Sequence, residues 1–189
     1  MDLRGNIVKN ELHNRLKKLE AEHEIKFSNT QKVLLSIEGS ITAILDVLYN
    51  KVHIFPLNQH FEKADEETAK LLEMNPGEEI HYREVLIYGK NKPMIYALSL
   101  IPLDRCRSEA REDIVKGVLP IGKILKKYKV ESRHEINNVY IEKPNATLKE
   151  LFQTNENFVS RDYIIIENEK IVMWTKESFP VSNFKEEMP

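Results

Sequence analysis

The chain has 189 residues with 28 basic and 30 acidic side chains and a formal net charge of −2, a size suited to one generous domain and a balance that offers no electrostatic footprint for nucleic acid or an anionic membrane. Hydrophobic residues make up 41% and charged residues 31%, which excludes wholesale disorder. A single cysteine, Cys106, rules out an intrachain disulfide and a thiolate metal cluster, and no stretch approaches the apolar length of a membrane span or a signal peptide. The expectation is one domain over residues 1–189 in a reducing cytoplasm, with a small molecule as partner and neither nucleic acid nor membrane.

Helical spacing opens the chain. Leu12, Leu16 and Leu19 recur in "NELHNRLKKLEAEH", and a stronger pattern follows in "TQKVLLSIEGSITAILDVLYN", interrupted at Gly39 and Ser40. An extended segment "KVHIFPLNQHF" precedes a short helix "KADEETAKLLEM" that Asp65 is placed to cap. Residues 78–103, "EEIHYREVLIYGKNKPMIYALSLIPL", read as two strands around a Gly-Lys-Asn-Lys turn. "REDIVKGVLPIGKILKKY" reads as a helix broken near Pro120. The strand "ESRHEINNVYIE", a helical "NATLKELF" and the hairpin "SRDYIIIENEKIVMWTKESFP" around "ENEK" complete the chain. Most strands are joined by short turns, so the fold expected is α+β: a mostly antiparallel sheet of about six strands with helices packed on one side.

Alternation along strands singles out two charged residues. His81, Arg83, Val85 and Ile87 share one face, so a guanidinium stands among aliphatic side chains. Ile171, Met173, Thr175, Glu177 and Phe179 share another, with Val172, Trp174, Lys176 and Ser178 opposite. Arg83 either pairs with a protein carboxylate such as Glu177, snorkels to water, or awaits a ligand carboxylate. Glu177 is either a strand-end carboxylate in water or an acid–base group in a dry pocket. The six histidines are scattered and no phosphate loop, nucleophile elbow or His-Glu-x-x-His is present. Neither a metal nor an organic cofactor is expected. Cys106, between Arg105 and Arg107, reads as an ordinary thiol.

Four pieces in order, "EGSIT" (38–42), "GEEIHYREVLIYGKNKPMIYALSLIPL" (77–103), "LPIGKIL" (119–125) and "KESFP" (176–180), resemble chorismate lyase and its relatives. The similarity spans roughly residues 30–182, leaving 1–29 as a helical extension. The resemblance implies a closed ligand cavity against the sheet beneath two helical flaps. It implies that Arg83 binds a ring carboxylate, assisted by the main-chain amides of Ile41 and Ile121. The essential carboxylate falls on Glu177, although a gapless alignment would put Lys176 there; alternation and the need for a carboxylate favour Glu177. The implied reaction is elimination of pyruvate from chorismate to give 4-hydroxybenzoate, without cofactor. The same segments also resemble the UTRA effector domains of GntR-type regulators, which bind small ligands without chemistry. The preceding "EAEHE" is not basic, which argues against a DNA-binding role, so the alternative is a non-catalytic aromatic-carboxylate binding domain.

Overall fold

The computed structural model describes residues 9–185. Helix α1 (Lys9–Glu22) buries Leu12, Leu16 and Leu19, the stripe that the i, i+4, i+7 spacing predicts. Ser28 starts α2 (Asn29–Ser36) with a capping box: its Oγ accepts from the Gln31 amide, and the Gln31 side chain accepts from the Ser28 amide. The interruption at Gly39 and Ser40 is a true break, after which the Ser40 side chain accepts from Ala43 N–H and starts α3 (Ile41–Tyr49).

Strand β1 (His53–Lys63) leads to α4 (Glu66–Leu71), capped by Asp65 through Thr68 N–H at 2.8 Å. The hairpin β2 (Glu79–Gly89) and β3 (Lys92–Ile101) turns at Lys90 (φ 50°) and Asn91 (φ 61°), the two positive values of a type I′ turn. The helix expected to break near Pro120 is two helices: α5 (Ser108–Lys116) ends at the left-handed Gly117, and Pro120 stands at the N-cap of α6 (Ile121–Lys127). Strand β4 (Arg133–Glu142), helix α7 (Ala146–Phe152), and strands β5 (Phe158–Glu167) and β6 (Lys170–Pro180) follow.

The six strands form one antiparallel sheet in the order β1-β2-β3-β6-β5-β4. Two rows of cross-strand partners lie side by side on one face. One runs Gln59, Arg83, Ser99, Thr175, Tyr163, Ile136; the other runs Pro56, Val85, Ala97, Glu177, Arg161, Val139. On the four inner strands the members of the two rows are two apart and so point the same way, while bulges at Pro56/Asn58 and Ile136/Asn138 make the step three on β1 and β4; Arg83 and Glu177 therefore belong to one face.

Helices α1, α2, α3, α5 and α6 contribute to the main core on that face, with Leu34, Leu35, Leu45 and Ile124 fully buried. The one-sided layer expected describes these five helices. Helices α4 and α7 cover two apolar patches on the reverse face, Ile80, Leu100 and Ile164 under Leu72, and Leu86, Tyr96 and Phe158 under Leu148. Those patches need cover as much as the front does, since burying each large aliphatic side chain is worth about 1.5–3 kcal/mol. Ile171, which simple alternation assigns to the Glu177 face, packs with the reverse cluster instead, because the β5–β6 pairing slips between Ile165 and Ile166. Among the described residues no helix is long and apolar enough to cross a membrane.

Candidate functional site

A cavity lies between the sheet face and the N-terminal turns of α3 and α6. Its floor includes Arg83, Val85, Ala97, Ser99, Thr175 and Glu177, with Tyr163, Ile165 and His134 toward β4. Its roof is Gly39–Thr42 and Pro120–Gly122. The free volume is about 40 Å³. That is well short of the roughly 150 Å³ of a cavity known to take up benzene, so a ring acid enters only if the roof segments move apart.

The two roof segments touch. A Cβ on Gly122 would overlap Ser40 Oγ and Cβ, so only glycine lets α6 come this close to the cap of α3. Lys123 Nζ on α6 also meets Asp46 Oδ2 on α3 at 2.6 Å, while Asp46 Oδ1 accepts from Val52 N–H. Burial raises the Asp46 carboxyl pKa, but the bond to Lys123 and the backbone N–H outweigh it, and the net shift is downward.

Arg83 is 2% exposed. Its Nη2 donates to Gly117 O at 3.1 Å and Leu119 O at 3.0 Å, and its Nε is buried without a partner. Of the alternatives open from the sequence, pairing with Glu177 and snorkelling to water are both excluded by these contacts. Desolvation brings the guanidinium pKa down to about 10, which leaves it charged at neutral pH. Gly117 is the left-handed C-cap of α5 (φ 68°), and a Cβ there would overlap the Gln59 side chain. Glycine is therefore what allows the carbonyl at 117 to face Arg83.

Glu177 is also buried, and its partner is an arginine that the sequence reading passed over. Arg161 Nε donates to Glu177 Oε2 at 2.7 Å, with the two side chains 1% and 5% exposed. Arg161 Nη1 donates to Ile37 O at 2.8 Å, just ahead of the first roof segment, and its guanidinium sits 5.0 Å from the Tyr163 ring centroid. Tyr163 O–H donates to Glu177 Oε1 at 3.2 Å. Burial, with the adjacent negative charge, pushes the Tyr163 phenol upward, so it stays a neutral donor. Lys176 is on the reverse face, ion-paired with Glu142 at 2.7 Å.

Ile41 and Ile121 are the first residues of α3 and α6, and both line the roof. The amides of a first helical turn have no partner within the helix. Arg161, Tyr163 and His134 were missed. The signal that exposed Arg83 was available for Arg161 too, since "SRDYIII" places Arg161 on the face of Tyr163 and Ile165. Cys106 does not line this cavity. Burial pushes its thiol up to about 12, and Arg107, expected near it, instead bonds Glu167 at 2.6 Å. Among the described residues no group of three His, Cys, Asp or Glu side chains could hold a metal ion.

Solved structures with this fold include the effector domain of PhnF from Mycobacterium smegmatis, with a TM-score of 0.63 at 10% identity over 75% of this chain and 88% of that one. The ligand-binding domain of a GntR-family regulator from Bordetella bronchiseptica aligns with a TM-score of 0.58 at 11% identity, over 74% and 91% of the two chains. At such identities the likeness is one of fold. In sequence, the chain is 32% identical over 160 residues to "Putative lyase MJ0807" of Methanocaldococcus jannaschii, covering 81% of this chain and 79% of that one. Residues 35–186 match the family described as chorismate pyruvate-lyase Rv2949c-like, and the chain belongs to that family.

Proposed function

We propose that this protein eliminates pyruvate from chorismate to give 4-hydroxybenzoate. The observation that carries the reading is Arg83, a cation 2% exposed that lines the cavity, with no ion pair to a carboxylate among the described residues and a buried Nε unmet. A charge so placed is costly unless a ligand anion completes it, and a guanidinium holds a carboxylate through two parallel bonds.

In the proposed reaction the ring carbon–oxygen bond to the enolpyruvyl group breaks and its electron pair leaves with enolpyruvate. The hydroxyl-bearing ring carbon loses its proton, the ring becomes aromatic, and enolpyruvate takes up a proton to become pyruvate. Arg83 fixes the ring carboxylate, and the amides of Ile41 and Ile121 approach it from the roof. Glu177, held in one orientation by Arg161 and Tyr163, supplies a fixed negative charge over the reacting face or receives the proton. Such fixed charges lower a barrier because they need no reorganisation during the reaction.

The second reading, a ligand-binding domain without chemistry, is favoured by the effector-domain structures that share the fold. Incubating the protein with chorismate and following pyruvate and 4-hydroxybenzoate together separates the two. Equimolar release above the uncatalysed rate, lost in Arg83→Ala, supports the lyase. Tight binding of 4-hydroxybenzoate with no pyruvate release supports the binding domain.

A further inference from the structure

A second recess, about 260 Å³ in volume, opens at the end of β2 away from the hairpin turn. Phe61, His81 and Ile101 stand opposite one another across β1, β2 and β3, and the chain leaving β3 makes a single turn of helix at Leu103–Arg105. Glu78, Glu79 and Asp104 line the recess together with Phe61, His81 and Leu103. None of the three carboxylates is ion-paired among the described residues. Glu78 takes the side-chain amide of Asn75, and Asp104 offers its main-chain carbonyl to Arg111. Lys63 is in register with Glu79 but does not line the recess, and neither does any other lysine or arginine among the described residues. Arg83, two residues along β2 from His81, lines the other cavity.

A buried histidine sets this recess apart from a merely acidic patch. His81 lines it while being 2% exposed, and its Nδ1 has no partner. A buried nitrogen left so is destabilising until something completes it. Phe61 leans on the imidazole, with ring centroids 5.1 Å apart and planes at 47°, and still leaves 52% of its own surface exposed. Burial, then the charges of Arg83 and His60, lowers the His81 pKa, so the ring is neutral at pH 7 and keeps a lone pair. The recess therefore presents negative charge, hydrogen-bond acceptors in excess and an uncovered aromatic ring.

Those features decide between guests. A metal ion needs three ligands that converge, and among the described residues no such group exists. Acceptors spread around an aromatic ring suit a flat, donor-rich cation instead. A guanidinium has five N–H donors and no acceptor, and its fork meets a carboxylate through two parallel bonds. We infer that this recess binds a guanidinium group, free in a small guanidino compound or borne on an arginine side chain, with Glu79 and Asp104 as its counter-charges, Phe61 as its stacking face and His81 as a further acceptor. The inference stands apart from the reaction proposed above and does not depend on it.

The test is an NMR titration of the isotope-labelled full-length chain with agmatine, with a blocked Gly-Arg-Gly peptide, and with putrescine, a dication that lacks the guanidinium. The better of the two guanidinium probes should bind with a Kd of about 0.1–1 mM, as a few charge-assisted bonds in an open recess allow. It should shift the amides of Glu79, His81 and Asp104 and weaken as salt is added. Tighter binding of agmatine marks a free guanidino compound as the guest; tighter binding of the peptide marks an arginine side chain. Glu79→Gln combined with Asp104→Asn alters two exposed side chains, so the variant should fold and lose about tenfold in affinity. His81→Leu should lose about fivefold, and if it fails to fold the double variant decides alone. Saturation by neither guanidinium probe at about 10 mM, tenfold above the expected Kd, or a double variant that binds as wild type does, overturns the site. Putrescine binding as tightly as the better probe overturns the assignment to a guanidinium.

Discussion

Arg83→Ala separates a ligand-binding arginine from a structural one, and its two effects can be estimated from the contacts. Burial moves the guanidinium from 12.5 to about 10, which corresponds to about 3 kcal/mol of penalty on the charged form. The sign is fixed: a cation whose folded pKa lies below its unfolded one carries this penalty in full at any pH below about 10. Against it stand the two bonds from Nη2 to Gly117 O and Leu119 O, each worth roughly 1.5–3 kcal/mol as a bond to a charged group. The sum nearly cancels. The variant should melt within about 8 °C of wild type, because 1 kcal/mol shifts a domain of this size by roughly 2–4 °C. Ligand binding has no such compensation. Losing a charge-assisted carboxylate contact in a dry site costs about 2–4 kcal/mol, a loss of about 30- to 1000-fold in affinity for 4-hydroxybenzoate and in kcat/KM for chorismate. Calorimetry and a thermal melt on the same sample measure both. Collapse of the fold, or a folded variant that binds within threefold of wild type, refutes the argument.

Glu177→Gln should lower turnover by about 10²–10⁴ while 4-hydroxybenzoate binds within tenfold, but it also strips Arg161 of its counter-charge and should cost roughly 3–5 kcal/mol of stability. Adding Arg161→Met should recover the melting temperature and not the turnover; recovered turnover would show that Glu177 serves only to neutralise Arg161. Lys176→Ala, on the reverse face, should leave turnover unchanged in the same assay. Gly117→Ala should cost about 1–2 kcal/mol for the left-handed backbone and, by displacing the carbonyl that Arg83 uses, weaken 4-hydroxybenzoate binding several-fold; lowered melting with unaltered binding would sink that link. His81 and His134 are both held below the usual 6.5, first by burial and then by neighbouring charge, Arg83 and His60 for one and Arg161 for the other. The unfolded chain therefore takes up protons first as pH falls, and stability should drop below about pH 6.5; urea midpoints at pH 7 and pH 5 test this, with a smaller drop expected in His134→Phe.

Arg83 could be found from one strand because it breaks an aliphatic run, and a short-range pattern was enough. Arg161 shows the same alternation, yet it sits beside Asp162 near a strand start, where paired charges usually face water. Its burial follows from its place opposite Glu177, a pairing set by the whole hairpin. His134 lies between Arg133 and Glu135, a charged neighbourhood that reads as surface, and its place on the cavity face follows from its register opposite Ile165. The helix boundaries were legible for local reasons: Ser40, Asp65 and Pro120 each act within a turn of themselves. Which face α4 and α7 would cover was not, since the central strands are apolar on both sides and periodicity cannot tell front from back.

Positions 40 and 122 are 82 residues apart in sequence, yet each limits what the other can be. A methyl group on Gly122 has nowhere to go while position 40 carries a Cβ, whereas a glycine at 40 would free that space. Substitutions at the two sites are therefore not independent steps: Gly122→Ala alone should prise the roof open, and the same change following Ser40→Gly should be tolerated. For descent with modification this makes the roof a single heritable unit spelled in two distant words. For redesign toward bulkier ring acids, it marks the pair to alter together, leaving the floor of the sheet as it stands.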